Sequence, residues 1–141
     1  MAGILLDTNV LSELMRPQPE AAVLAWFGRQ PGNSFHVSAV TRAEILLGIA
    51  LLPAGQRRDR LAAAAEQMFA EDFAARSLPF DAAAATEYAV LVAARSRSGR
   101  PISTEDGQIA AVAISRNLSL ATRNGKDFEC IAGLAVENPW Q

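Results

Sequence analysis

A strand-to-helix junction within residues 4–14 is the feature that most constrains the fold. Residues 4–6 form a short apolar run, Asp7 follows directly, and the helical spacing of apolar side chains starts at Val10. This pattern predicts a buried strand that ends where a helix begins, with Asp7 at the carboxyl end of the strand. In open parallel sheets, ligands bind at that edge. Capping of the helix by Asp7 or a neighbouring polar residue is the alternative that this stretch alone leaves open.

The rest of the chain alternates between strand-like and helix-like segments. Further strands are predicted, with helices between them, at residues 35–38, 77–80 (on an edge), 118–122 and 134–136. Turn residues occupy positions 30–34, and a long helix is predicted from residue 56 to about residue 75. With 141 residues, half of them hydrophobic, the chain is expected to form one domain over residues 1–141. The predicted fold class is an α/β sandwich around a largely parallel sheet.

Composition excludes several classes of protein. No apolar run approaches the roughly 18 to 20 residues of a membrane span, and the N-terminus lacks a signal-peptide pattern, so we expect a soluble, cytoplasmic protein. The single cysteine, Cys130, excludes an internal disulfide and a multi-cysteine zinc site. A net charge of -2 provides no general attraction for nucleic acid, although arginines could form a local RNA-binding face.

An acidic residue interrupts the apolar side of the helix predicted after Ser38. Helical periodicity there predicts a buried stripe formed by Val40, Ala43, Leu47 and Leu51. Glu44 lies one turn from two members of this stripe and from Gly48, so its carboxylate is expected to project from a largely apolar face. Burying a lone carboxylate costs several kcal/mol unless it has a partner or a metal ion. A solvated Glu44 on a surface helix is the alternative.

A third acidic residue, Asp106, begins a later helix. Ser103 and Asp106 have the spacing of a capping box, which would be a complete structural explanation. Asp106 nevertheless lies one turn before Ile109 and Ala110, on the face that the rest of this helix is expected to bury. The polar segment 123–128 then follows the fourth predicted strand, and its Asn-Gly pair is an ordinary turn signal.

These polar residues can converge at one edge of the predicted sheet. If the first and fourth strands end side by side, Asp7, Glu44, Asp106 and Asn124 form one site. Carboxylates about 5 Å apart repel by roughly 3 kcal/mol per pair at an effective dielectric near 20, so such a cluster needs protons or a cation. With no histidine or cysteine in these segments, the ligands are oxygens, which favours magnesium or manganese over zinc. Magnesium held by few carboxylates keeps waters, and one could be activated to attack phosphorus.

Four segments resemble the motifs of a known family. They are residues 5–9, 37–45, 106–111 and 121–128. There the sequence is similar to PIN-domain ribonucleases, specifically the VapC-type toxins of type II toxin–antitoxin systems and their FitB-like branch, and the similarity extends through residues 137–140. The resemblance implies a PIN-like three-layer sandwich, with a mostly parallel central sheet of about five short strands and helices on both faces.

The resemblance also implies roles for the acidic residues. Asp7, Glu44 and Asp106 correspond to the family's acidic triad, which coordinates magnesium, with manganese as a possible substitute, for endonucleolytic cleavage of RNA by a metal-activated water. Members often carry a fourth acid directly after a Thr-Arg pair. That position is Asn124 here, a neutral ligand at best, which argues against a second stably bound metal ion.

Three further polar residues in these motifs are expected to support the site. They are Asn9, Thr122 and Asp127. Asp127 could partly replace the missing fourth acid, or it could only cap the last short helical turn.

The resemblance implies partners as well. These are an RNA substrate, a cognate VapB-like or FitA-like antitoxin, and a second copy of the chain, with a heterotetramer or larger assembly when the antitoxin is bound. The two early predicted helices carry more large apolar side chains than one small sheet is expected to bury, which favours a partner surface there. These side chains are Leu11, Leu14, Met15, Trp26 and Phe27. Core packing is the alternative.

Three other functions are compatible with an acid after the first strand. A phosphatase that uses Asp7 as a nucleophile, like the haloacid-dehalogenase type, needs a second acid two residues later, where this chain has Asn9. A response-regulator receiver domain needs a phosphoacceptor aspartate after a middle strand and a lysine near the end, but residues 77–80 offer no acid and Lys126 is the only lysine. A catalytically inert PIN-fold binding module is the third alternative.

Overall fold

The structure is a computed structural model that describes residues 3–31 and 34–141. Within these residues the strands are Ile4–Leu6 (β1), Phe35–Ser38 (β2), Ser77–Leu78 (β3), Ser119–Ala121 (β4) and Val136–Glu137 (β5). The α-helices are Thr8–Leu14 (α1), Ala21–Gly28 (α2), Ala39–Ala50 (α3), Gln56–Gln67 (α4), Ala82–Arg97 (α5) and Thr104–Ser115 (α6). A π-helical segment, Met68–Asp72, extends α4, and a 3-10 turn, Gly125–Phe128, follows β4.

The strands form one sheet in the order β3-β2-β1-β4-β5, and each neighbouring pair is parallel. Side chains alternate across β1, so Ile4 and Leu6 pack with α1 to α4 on one face, whereas Leu5 packs with α5 and α6 on the other. Both faces of the sheet are therefore covered by helices, as parallel sheets require. The predicted three-layer α/β fold and the edge position of the third strand are confirmed.

The buried face of α3 differs from the predicted stripe. Thr41, Ile45 and Ile49 point into the core, while Leu47 and Leu51 are 60% and 75% exposed. Apolar residues surround most of this helix, so periodicity alone gave no unique face. The rotation is consistent with the cap, because Ser38 at the end of β2 accepts the N–H of Thr41 (3.0 Å) and fixes how the helix leaves the sheet.

Other differences concern the ends and surroundings of elements. The long helix predicted to about residue 75 changes from α to π geometry at Met68. The apolar side chains of the early helices are core rather than surface: Leu11 and Trp26 are buried, and the others pack against the same core cluster. The turn predicted at residues 30–34 includes Gly32 and Asn33, which lie outside the described residues. No helix in the described part of the chain combines the length and apolar character needed to cross a bilayer.

Candidate active site

Asp7 lies at the carboxyl end of β1, where it caps α1 and contacts β4. Its Oδ1 accepts the N–H of Thr8 (2.9 Å), which confirms the capping alternative. Its Oδ2 accepts the hydroxyl of Thr122 (2.7 Å) and the side-chain amide of Asn9 (3.3 Å). Asp7 is only 5% exposed. One carboxylate oxygen of Asp7 therefore caps α1, and the other accepts hydrogen bonds from side chains of the candidate site.

Sheet register brings Asp7 and Thr122 together. Leu6 pairs with Ala121, and the N–H of Asp7 donates to the carbonyl of Ala121 (2.9 Å), so the next residue of each strand lies at the same edge. The Thr122 hydroxyl accepts the N–H of Asn124 (3.1 Å), which leaves its single proton for Asp7. Thr122 thus contacts Asp7 directly, and its supporting role in a metal site stays a prediction.

Glu44 is half-buried and held by a chain of hydroxyl groups. The Thr8 hydroxyl lies 2.6 Å from Glu44 Oε1 and 3.1 Å from the Thr41 hydroxyl. A carboxylate is the stronger acceptor, so Thr8 donates to Glu44 and accepts from Thr41. Sequence analysis missed the roles of Thr8 and Thr41. The spacing offered a signal, because Thr41 lies three residues before Glu44 and therefore on the same side of the helix.

Asp106 is placed by the start of α6. The Ser103 hydroxyl accepts the N–H of Asp106 (3.2 Å), so Ser103 is the helix cap, as predicted. The next residue is Gly107, where a Cβ atom would lie 3.0 Å from Tyr88 and from Val92. The missing side chain lets α6 pack closely against α5 directly after Asp106.

The acidic groups perturb one another electrostatically. Burial raises the pKa of Asp7 above its ordinary value; the hydrogen bonds from Thr122 and Thr8 act in the opposite direction, and the negative charges of Glu44 and Asp127 raise it further. Burial also raises the pKa of Asp106 to about 6, followed in importance by the negative charge of Asp7, with smaller contributions from Asp127 and Glu44. The predicted acids therefore lie within electrostatic reach of one another.

The segment after β4 places two polar residues near the site, and only one of them affects the acids electrostatically. Asn124 is exposed, its N–H is held by Thr122, and its side chain makes no capping bond to the 3-10 turn. Asp127 is also exposed, but its negative charge is felt by both Asp7 and Asp106. A ligand role for Asn124 stays a prediction, and Asp127 is the residue of this segment that is coupled to the acids.

A buried arginine on α5 holds the main chain of the segment after β4. Arg95 on α5 is 6% exposed and donates to the carbonyls of Arg100 (2.8 Å), Asp127 (3.2 Å) and Glu129. These bonds tie the main chain around Asp127 to the end of α5. Sequence analysis missed this role, because an arginine near the end of a helix normally points into solvent and nothing in its local pattern distinguishes Arg95 from Arg97.

The donor set suits a hard cation that keeps part of its water shell. Within residues 3–31 and 34–141, no three acidic, histidine or cysteine side chains are grouped into a ready-made metal cage. The groups at this edge are nevertheless oxygens, and the raised pKa values of Asp7 and Asp106 reflect in part uncompensated negative charge. Magnesium requires few protein ligands and dehydrates reluctantly, so an incomplete set of carboxylates fits it. An open groove of about 790 Å³ lies beside this edge, lined by residues that include Arg123, Lys126 and Asp127.

Comparison with known proteins agrees with this geometry. Residues 4–134 match the model of the PIN domain family. The chain is 44% identical over 138 residues to "VapC ribonuclease Y4jK" of Sinorhizobium fredii, covering 98% of each chain. It is 43% identical over 137 residues to "Toxin FitB" of Neisseria gonorrhoeae, covering 97% of this chain and 98% of that one. The solved structure of FitAB bound to an IR36 DNA fragment superposes with a TM-score of 0.89 at 42% identity, covering 98% of this chain and 96% of that chain. The chain therefore belongs to the PIN-domain family, among the relatives of the VapC ribonuclease and the FitB toxin.

Proposed function

We propose that this chain is a magnesium-dependent endoribonuclease and the toxin of a toxin–antitoxin module that acts in the cytoplasm. The observation that carries the proposal is the arrangement of acids at the carboxyl edge of a PIN-family sheet: Asp7 directly follows β1, the next residue bonds to Glu44 (2.6 Å), and the charges of both acids act on Asp106. The names of the related proteins, a VapC ribonuclease and the toxin FitB, support the same assignment.

In this proposal Asp7, Glu44 and Asp106 hold one magnesium ion, with manganese as a substitute. Asn124 is a weak neutral ligand, and Asp127 contributes charge from the edge of the site. When bound, the metal would polarise the scissile phosphodiester and activate a water for attack on phosphorus. Neutralising this negative charge is a favourable contribution to metal binding, because the charge of Glu44 raises the pKa of Asp7, and the charges of Asp7 and Glu44 raise the pKa of Asp106.

The surrounding hydrogen bonds orient the carboxylates. Thr8 and Thr122 each donate to one acid and have a second partner of their own, so the two hydroxyls cannot rotate freely. Such bonds keep ligand oxygens in place before the metal and substrate arrive. Asn9 connects Asp7 to the N–H of Arg123 and thus to the segment after β4.

The arrangement argues against the phosphatase alternative. Asn9 occupies the position where a second acid would have to act, and its amide is bound to Asp7 (3.3 Å), Thr122 (3.4 Å) and the N–H of Arg123 (3.2 Å). It therefore stabilises Asp7 and the adjacent loop and has no proton to exchange with a leaving group.

RNA cleavage under defined metal conditions tests the proposed activity. A panel of structured and single-stranded RNAs is incubated with the purified chain and magnesium, manganese or a chelator. Cleavage within the strands that requires either metal and stops with the chelator is the expected result. RNA binding without cleavage would instead favour the inert binding module, and chelator-resistant cleavage would contradict the proposed metal dependence.

We further propose a FitA-like or VapB-like antitoxin and a homodimer, hence a heterotetramer or larger complex. Large apolar side chains that are exposed in the single chain provide surface for such partners; they are Leu24, Leu46, Leu47, Leu51 and Val90. Co-expression is the test: the product of a neighbouring short reading frame should copurify with the chain and suppress both toxicity and RNA cleavage. If the chain alone leaves growth unaffected while the purified protein cleaves RNA freely, the toxin assignment fails and the nuclease assignment stands.

A further inference from the structure

Arg123 is fixed at its main chain from two sides. Its N–H donates to Asn9 Oδ1 (3.2 Å), and its carbonyl accepts from the side-chain amide of Asn138 (3.5 Å). Asn9 also donates to Asp7 (3.3 Å), so the position of Arg123 is coupled directly to the acidic site. This residue follows Thr122, whose hydroxyl donates to the same carboxylate.

The Arg123 side chain is oriented by an aromatic ring. Its guanidinium carbon lies 4.9 Å from the ring centroid of Trp140, within the range of a cation–π interaction. Trp140 is half-buried against the core, and its main-chain N–H donates to Asn138 Oδ1 (2.9 Å). Asn138 therefore bonds both to Arg123 and to the residue that carries the ring. Asn138 thus holds the main chains of Arg123 and Trp140 together, and the ring contact adds the link between their side chains.

The charge of this arginine is available to a ligand. Arg123 is exposed, and among the residues that the structure describes its guanidinium forms no ion pair. Glu13 lies near enough to be affected by the charge of Arg123, but its carboxylate is already bound by Arg16 (3.2 Å) and by the N–H of Glu20 (2.8 Å). Arg123 and Lys126 both line the groove of about 790 Å³, which is formed by the segment after β4, including Asp127, and by residues near β5.

We propose that Arg123 binds a phosphate of the RNA strand next to the phosphodiester that is cleaved, and that Trp140 orients the guanidinium for this contact. The inference rests on the proposed nuclease function. A chain of net charge -2 with a cluster of acids repels a polyanion, so a local cation is needed to hold the strand. A guanidinium fork matches two phosphate oxygens, and a preoriented fork loses less entropy on binding.

Steady-state cleavage of one single-stranded RNA, together with its binding in an Asp7→Asn background, tests the contact. Arg123→Gln should raise KM and the dissociation constant about tenfold and change kcat less than about twofold, because a charge-assisted phosphate contact is lost away from the reacting atoms. The slope of log affinity against log salt should fall by about 0.7, the value for one phosphate contact on a single strand. Arg123→Lys should restore the salt slope but only part of the affinity.

Two further variants separate charge from orientation. Trp140→Leu keeps the cation and should raise KM less than Arg123→Gln does, with an unchanged salt slope. Arg57→Gln removes another exposed arginine, in the first turn of α4, and should leave KM within about twofold of the wild type. Manganese affinity should be the same in Arg123→Gln and Arg57→Gln, because neither residue is a proposed ligand.

The outcomes distinguish this inference from the proposed function. If the wild type cleaves RNA and Arg123→Gln matches Arg57→Gln in KM, RNA affinity and salt slope, the proposed phosphate contact does not exist. The nuclease assignment then stands. If the wild type neither binds nor cleaves RNA, both are wrong. A loss of kcat without a change in KM or salt slope would also overturn the inference, because it would mean that Arg123 acts on the reaction and not on strand binding.

Discussion

The hydroxyl of Thr8 lies 2.6 Å from Glu44 Oε1 and joins the first turn of α1 to the middle of α3. This bond connects the helix that follows Asp7 to the helix that carries a second acid. Thr41 donates to the other side of the same hydroxyl, so the direction of the hydrogen-bond chain is fixed. Glu44 therefore owes its orientation to two residues whose side chains do not themselves carry charge.

Thr8→Val should disturb Glu44 while preserving the shape of the helix start. Valine keeps the branched side chain and removes the donor, so kcat/KM for RNA cleavage should fall about tenfold, the loss of one hydrogen bond to a charged group. The matched control is Thr86→Val, because the Thr86 hydroxyl bonds only to the carbonyl of Ala82 on the exposed face of α5. Equal rates for the two variants would show that Glu44 does not depend on Thr8.

Metal affinity should depend on pH through Asp106. Its pKa of about 6 means that protons compete with a cation for the carboxylate below that pH. Manganese affinity should therefore fall roughly fivefold from pH 6 to pH 5 and level off above pH 7. Calorimetry at these pH values measures the dependence, and Asp106→Asn should flatten it. A wild-type affinity that is constant from pH 5 to pH 7 would contradict the assignment.

The stability of the metal-free protein should change with pH in the opposite direction to the metal affinity. Between the ordinary pKa of 3.8 and about 6, the folded chain binds more protons at Asp106 than the unfolded chain does. The free energy of unfolding therefore decreases as pH rises through this window. Urea unfolding in chelator should give a steeper decrease for the wild type than for Asp106→Asn. Parallel curves would mean that Asp106 does not experience the burial and repulsion described above.

Asn124→Asp should tighten manganese binding by about tenfold if the side chain reaches the ligand shell, because it adds a negative charge next to the cation. The companion variant Asp127→Asn removes a charge that both Asp7 and Asp106 experience, and it should weaken binding. Calorimetry of both variants decides between the two residues. An unchanged affinity in Asn124→Asp with a loss in Asp127→Asn would assign the role to Asp127.

Arg95→Met should destabilise the fold and the segment that carries Asp127. The guanidinium is buried and satisfies three main-chain carbonyls, so its removal should cost about 3 kcal/mol of unfolding free energy. Arg97→Met, two residues along the same helix and exposed, should change stability by less than about 0.5 kcal/mol. Chemical denaturation compares them, and similar midpoints would contradict the role assigned to Arg95.

The strand-to-helix junction at Asp7 and the parallel α/β architecture could be predicted because each depends on local pattern. A short apolar run that ends in a polar residue marks a buried strand regardless of what packs on it. Parallel strands then bring their carboxyl ends to one edge, so Asp7 and the segment after the fourth strand could be expected to lie close together, and Thr122 does contact Asp7.

The buried face of α3 and the supporting hydroxyls could not be predicted in the same way. Leu47 and Ile49 are both strongly apolar in sequence, and which of them is buried depends on how the helix that begins after Ser38 packs on the sheet. The Thr8–Glu44 bond and the Arg95 contacts join residues more than thirty positions apart. Such pairs depend on the crossing of elements, which periodicity does not encode.

Cleavage of RNA by three charge-neutralised variants tests the central claim most directly. Asp7→Asn, Glu44→Gln and Asp106→Asn each keep the shape of the side chain, and asparagine at position 7 can still cap α1, so folding should be retained by circular dichroism. With magnesium, each variant should cleave about a hundredfold to a thousandfold more slowly than the wild type. Wild-type rates in all three, in preparations free of contaminating nuclease, would contradict a metal-dependent ribonuclease built on these acids.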